Sequence, residues 1–280
     1  LNRDFKNKTP SVEDIQDAVE KILIEEGHVK IAKNFILYRE QKANLRQTKE
    51  FLVDSINLVD DYIGKEDWRV YENANASYSL PGLLWYSSGT IMTFYALHKI
   101  YPKEIASAHV SGRMHIHNLQ MALNGYCAGW NLRQLLNEGF NGVRGKFEAS
   151  PPKHLRSAVG QMIDFMGTLQ NEWAGAQAFN SFDTYLAPFV KLDKLSYKEV
   201  KQTIQEFVYG MNVGSRWAGQ TIFSNVTLDL NVPKDLAEQK AAIGGKLIDL
   251  RYSDCHDEME LINRAFIDIL KEGDAKGRVF

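Results

Sequence analysis

Long amphipathic helices separated by single β-rich runs fill the second half of this 280-residue chain, and that alternation constrains the fold more than any other feature. Residues 153–173 carry Leu155, Val159, Met162, Ile163, Met166 and Leu169 at three- and four-residue spacing, the stripe of a helix with one buried face. A second long helix is predicted from Ser196, a capping residue, to Arg216, and a third over 254–272. Between them Thr221–Asn231 is rich in β-branched residues and is ended by Pro233, so it reads as a strand. Met114-His115-Ile116-His117 alternates and reads as another. Helices that alternate with lone strands predict an α/β barrel under construction, not a bundle.

The front of the chain has a different texture. Thr9-Pro10-Ser11 leads into a helix in which Ser11 and Asp14 form a capping-box pattern. Val12, Ile15, Val19, Ile22 and Leu23 follow at helical spacing, and Glu25-Glu26-Gly27 ends the run. A second helix is expected from Val29 to Leu45, with Ile31, Phe35 or Ile36, and Tyr38 facing inward. The polar stretch Gln41–Lys49 reads as a linker, so we divide the chain into a domain 1–46 and a domain 47–280. Helical Glu50–Ile63 and a turn at Gly64–Asp67 come next.

Residues Leu80–Leu97 run for 18 positions without a charge, near the lower limit for a membrane span. Pro81, two glycines and several Ser and Thr interrupt them, and no Lys/Arg clusters flank them, which predicts a buried element of a large core instead. A net charge of -2 offers no general attraction to nucleic acid or anionic lipid. Two cysteines in unrelated contexts make no disulfide framework and no zinc site, and nothing resembles an export signal, so a cytoplasmic setting is expected. Leu1 is not Met, and Arg278-Val279-Phe280 looks like the opening of a strand, so the chain reads as part of a longer protein.

Cys127 lies in Asn124-Gly125-Tyr126-Cys127-Ala128-Gly129-Trp130. Such a residue is either a small buried hydrophobe or a redox thiol, which would need an apolar, water-poor pocket. His115 and His117, two residues apart on a strand, would face the same side. They could bind a metal, contact a phosphate or hydrogen-bond in a core. With no third ligand beside them, a polar pocket floor near Cys127 is the reading we adopt. Asn73–Ser77 and Gly219-Gln220-Thr221 are polar clusters that serve equally as turns, and Cys255 sits in a charged helix start.

Six segments together resemble anaerobic (class III) ribonucleoside-triphosphate reductases, members of the glycyl-radical family. They are Glu72–Asn75, Gly112–Leu119, Gly125–Leu132, Gly175–Asn180, Ser215–Thr221 and Gly273–Phe280, in the family's order. Residues 9–46 likewise resemble the second half of an ATP-cone regulatory module. The resemblance implies the first half of a ten-stranded α/β barrel preceded by a partial helical ATP-cone. It implies reduction of ribonucleoside triphosphates by thiyl and glycyl radical chemistry, with formate as reductant.

By the same resemblance, Cys127 corresponds to the second active-site cysteine, across the substrate from the thiyl, while His115 and His117 line the substrate pocket. The family usually has Asp after the second histidine, where this chain has Asn118. The thiyl-forming cysteine, the glycyl radical and a zinc site are expected beyond Phe280, so residues 1–280 alone are expected to be inactive. ATP and deoxynucleotide effectors, a radical-SAM activating enzyme and a homodimer are implied too. Two alternatives stay open: a glycyl-radical enzyme acting on an acyl or diol substrate, and a non-catalytic nucleotide-sensing regulator.

Overall fold

A computed structural model describes residues 9–64, 78–142, 145 and 147–279, without the side chains of residues 44 and 47–56. The cluster Asn73–Ser77, the segment Glu72–Asn75 and the turn beyond Gly64 lie outside the described residues. The chain forms two compact units, Leu1–Glu66 and Asp67–Phe280.

In the first unit, α1 (Val12–Glu25) begins with the expected capping box: Ser11 Oγ accepts the Asp14 amide and the Asp14 carboxylate accepts the Ser11 amide. Gly27, with φ +77°, ends it in a conformation that side chains disfavour. α2 spans Val29–Gly64, so the polar stretch 41–49 is helical and no linker interrupts it. It contains no Gly or Pro, and polarity alone does not break a helix. Arg39 joins the two helices by donating to Gln16, Asp17 and Glu20 at 2.6–2.9 Å. The apolar stripe does not face inward as expected. No α1 residue is buried, and Ile22 and Ile31 are 52% and 57% exposed, because two helices alone offer no second layer to cover it.

The second unit starts with α3 (Leu80–Tyr95), capped by Ser79 and continued by a wide π turn, Ala96–Ile100. Among described residues no helix is long and apolar enough to cross a membrane. α3 is less buried than its composition predicts: Gly82 and Gly89 are covered, but Leu80 and Leu84 are more than 60% exposed. α4 (Lys103–Val110) ends at Gly112, and the Met114 amide folds back onto the Ala108 carbonyl.

Three parallel strands then alternate with helices. β1 (Ala128–Trp130) is followed by α5 (Leu132–Glu138) and α6 (Leu155–Leu169). β2 (Gln177–Phe179) is followed by α7 (Phe182–Asp193) and α8 (Tyr197–Met211), and then comes β3 (Ser224–Val226). The sheet order is β1-β2-β3, with Ala128 beside Gln177 and Gln177 beside Ser224. A short helix α9 (Lys234–Ala237) and a hairpin β4–β5 (Lys240–Ile243, Lys246–Arg251) precede α10 (His256–Glu272).

The core fills the space between the sheet and α6, α7, α8 and α10, with Leu155, Met162, Phe179, Phe182, Leu186, Ile204, Met259 and Ile262 fully buried. One carboxylate crosses it. Asp183 accepts the amides of Thr184, Asp229 and Leu230 and the side chain of Asn263, tying α7, the loop after β3 and α10 together.

Candidate active site

The Cys127 segment is built by pairing with the chain before β2. Ala174 donates its amide to the Gly125 carbonyl at 2.8 Å, Gly175 to Tyr126, and Ala128 to the Ala176 carbonyl at 3.1 Å. Trp130 and Gln177 lock β1 to β2, since the indole Nε1 donates to Gln177 Oε1 at 2.9 Å and Gln177 Nε2 donates to the Met166 carbonyl. Beyond β1, Asn180 Oδ1 accepts the Leu132 amide at the start of α5. The close approach demands glycine twice. A Cβ on Gly125 would strike the Trp173 ring, and one on Gly175 would sit 2.6 Å from Cys127 Sγ.

His115 and His117 do not lie on a strand, and this corrects the expectation from alternation. Residues 111–118 form successive turns, with Gly112 and Asn118 at φ +73° and +50°. Four alternating residues cannot hold a strand that has no partner, and Asn at position 118 suits a left-handed conformation. The two rings still share a side: His115 Nε2 and His117 Nδ1 are 3.4 Å apart. His109 joins them, accepting the Ile116 amide at Nδ1 (3.2 Å) with its ring centroid 6.0 Å from that of His115. His117 meets Tyr126, the neighbour of Cys127, edge-on at 6.1 Å. The histidines and the cysteine thus share one neighbourhood, which His109 helps to build. Nothing in the spacing of the His-x-His pair pointed to His109, six residues earlier on α4.

Cys127 is exposed, not sunk in a dry pocket. Three strands present one surface and cannot enclose it. Cys255 is buried, with its thiol donating to the Arg251 carbonyl. Among described residues no group of three or more His, Cys, Asp or Glu could hold a metal ion. A cleft of about 460 Å³ opens beside β3, lined by Phe207, Met211, Arg216, Ile222, Phe223 and Phe266; neither Cys127 nor the histidines border it.

The segments Gly125–Leu132, Gly175–Asn180 and Ser215–Thr221 are three of the six singled out by resemblance, and they meet here. The family model described as anaerobic ribonucleoside-triphosphate reductase matches residues 72–280, three quarters of the chain. The chain belongs to the anaerobic ribonucleoside-triphosphate reductase family. Residues 1–44 match the ATP cone domain. The reductase of Haemophilus influenzae is 26% identical over 202 residues, covering 70% of this chain and 27% of that protein. That of Escherichia coli is 27% identical over 209 residues, with the same coverage. The chain thus spans about a quarter of the length of these relatives.

Solved anaerobic ribonucleotide reductases share the fold. The Thermotoga maritima enzyme with dATP in its specificity site has a TM-score of 0.61 at 20% identity, over 81% of this chain and 42% of that one. Its complex with dATP and CTP gives 0.59 at 20% identity, over 77% and 41%.

Proposed function

We propose that this chain is the substrate-facing front part of an enzyme that reduces ribonucleoside triphosphates to deoxyribonucleotides anaerobically, by radical chemistry. The observation that supports this best is the family match over residues 72–280. The parallel β1-β2-β3 sheet fits the opening strands of a ten-stranded barrel, with the unit containing α1 and α2 acting as part of an ATP-cone. The domain division we propose is 1–46 for the cone and 47–280 for the barrel, with α2 crossing the boundary as one helix.

In this reading a glycyl radical elsewhere in the protein supplies the unpaired electron that generates a thiyl facing the ribose. The thiyl takes the 3'-hydrogen, the 2'-hydroxyl leaves as water, and Cys127 gives a hydrogen to C2'. Its sulfur then joins the other cysteine in a disulfide radical, and formate, oxidised to carbon dioxide, supplies the two electrons of the net reduction. The exposed face of Cys127 is the side open to substrate. His115 and His117 line the nucleotide pocket, where their ring nitrogens can hydrogen-bond the sugar hydroxyls or a phosphate. In the same reading, a structural zinc belongs to another part of the protein. Effectors such as dATP, a radical-SAM activase, a homodimer and a cytoplasmic setting complete the proposal.

An acyl- or diol-specific glycyl-radical enzyme would have no use for the ATP-cone match. Equilibrium binding of ribonucleoside triphosphates tests the choice. Saturable binding, weakened by changing His115 or His117 to Ala, is expected; no binding would overturn the assignment.

A further inference from the structure

Arg216 is 9% exposed, and among the described residues no carboxylate pairs with it. Its Nη2 donates to the carbonyls of Trp173 (3.3 Å) and Ala174 (2.5 Å), and its Nη1 to Gln220 Oε1 (3.0 Å). The Gln220 carbonyl accepts the Arg216 amide in return at 2.9 Å, closing a small loop around Ala218, whose φ is +56°. Burial works against the guanidinium charge, lowering its pKa from the ordinary value. Among the described residues only neutral oxygens compensate, and they do so through the planar fork that Arg alone among cations presents.

Those two carbonyls belong to the residues directly before Gly175. The same short segment is bonded on its other side to the chain that carries Cys127 into β1, through Ala174 to Gly125 and Gly175 to Tyr126. Arg216 therefore holds the support against which Cys127 rests. At Gly175 the support comes so close that any Cβ would meet Cys127 Sγ at 2.6 Å and the Tyr126 carbonyl at 2.7 Å, inside van der Waals contact. The sulfur has room because position 175 lacks a side chain.

We propose that Arg216 and Gly175 are positioning residues for Cys127: Arg216 fixes the backbone at 173–174, and the bare Cα of Gly175 leaves the space in which the sulfur stands. The geometry is independent of the reaction, while its catalytic consequence rests on the thiol chemistry proposed above.

The first test uses the 280-residue chain and its unfolding midpoint. Gly175→Ala is made both in the natural sequence and in a Cys127→Ala background. The drop caused by Gly175→Ala is expected to be smaller once the sulfur is gone, since one of its two clashes has been removed. Equal drops in the two backgrounds overturn the proposal. Should Gly175→Ala not fold, Arg216→Lys, which keeps the charge and loses the fork, carries the test. Alkylation of Cys127 by iodoacetamide is expected to become several-fold faster as the support loosens, and an unchanged or slower rate overturns the proposal. In a full-length protein containing this chain, Arg216→Lys should lower kcat about 100-fold with KM for the nucleotide little changed, as expected when a reacting atom is misplaced by about 1 Å. Normal kcat in that variant, alongside an inactive Cys127→Ala, overturns the inference while leaving the function intact. Full activity of Cys127→Ala overturns the function while the unfolding cycle still judges the geometry.

Discussion

Asn263 on α10 donates its side-chain amide to the Asp183 carboxylate at 2.9 Å, and both residues are shut off from water, at 8% and 0% exposure. The carboxylate also receives three backbone amides, including that of Leu230, whose φ is +62°. Asp183→Asn keeps the shape but turns one acceptor into a donor facing other donors. We expect it to cost roughly 3 kcal/mol of stability, read by denaturant unfolding. A loss below about 0.5 kcal/mol would mean that these bonds do not hold the loop after β3.

Gln177 occupies a similar position in the sheet. It accepts from the Trp130 indole and donates to the Met166 carbonyl while 1% exposed. Gln177→Leu leaves the half-buried Trp130 indole N–H unpaired, while the Met166 carbonyl keeps the Gln170 amide, and is expected to destabilise by about 1–2 kcal/mol. Chemical unfolding of the variant, with Trp fluorescence as the probe, checks this.

Much of this was legible from the residues, for a physical reason. Helices longer than a dozen residues announce themselves through stripe and cap: Ser196 and Glu199 form a capping box at α8, and Met259, Ile262 and Ile269 form the buried stripe of α10. Strands of three residues have no period to read, so β1 and β2 went unseen as strands even though their segments were singled out. The eleven-residue run 221–231 shrank to Ser224–Val226. The alternation at 114–117 misled because nothing pairs with it. Cys127, His115 and His117 were visible as residue types in a pattern. The contributions of Arg216 and His109 were not, since Arg216 acts through backbone carbonyls 42 and 43 positions away and His109 through the Ile116 amide in a run of turns that the alternation concealed.

Cys255 makes the stability dependent on alkaline pH. Burial, more than its acidic neighbours, pushes its thiol up to about 12, and burial pushes Tyr252 to about 12 as well. Folding favours the protonated forms, so their contribution is fully present below the unfolded pKa values, about 8.5 and about 10, and is lost as pH rises towards 12. The unfolding midpoint should be level from about pH 7 to 8 and fall above about pH 9. Cys255→Ala should remove part of that fall.

The two thiols should also differ chemically. At pH 7 native protein is expected to take up one equivalent of maleimide, at the exposed Cys127, while buried Cys255 reacts only after unfolding. Peptide mapping of the labelled protein decides which thiol has reacted.

The central claim is that Cys127 takes part in nucleotide reduction, and one assay meets it directly. A full-length protein containing this chain, activated anaerobically and supplied with ribonucleoside triphosphate and formate, is compared with its Cys127→Ala variant. The account predicts that the variant still folds and binds nucleotide but forms no deoxyribonucleotide. Undiminished product formation by Cys127→Ala would contradict it.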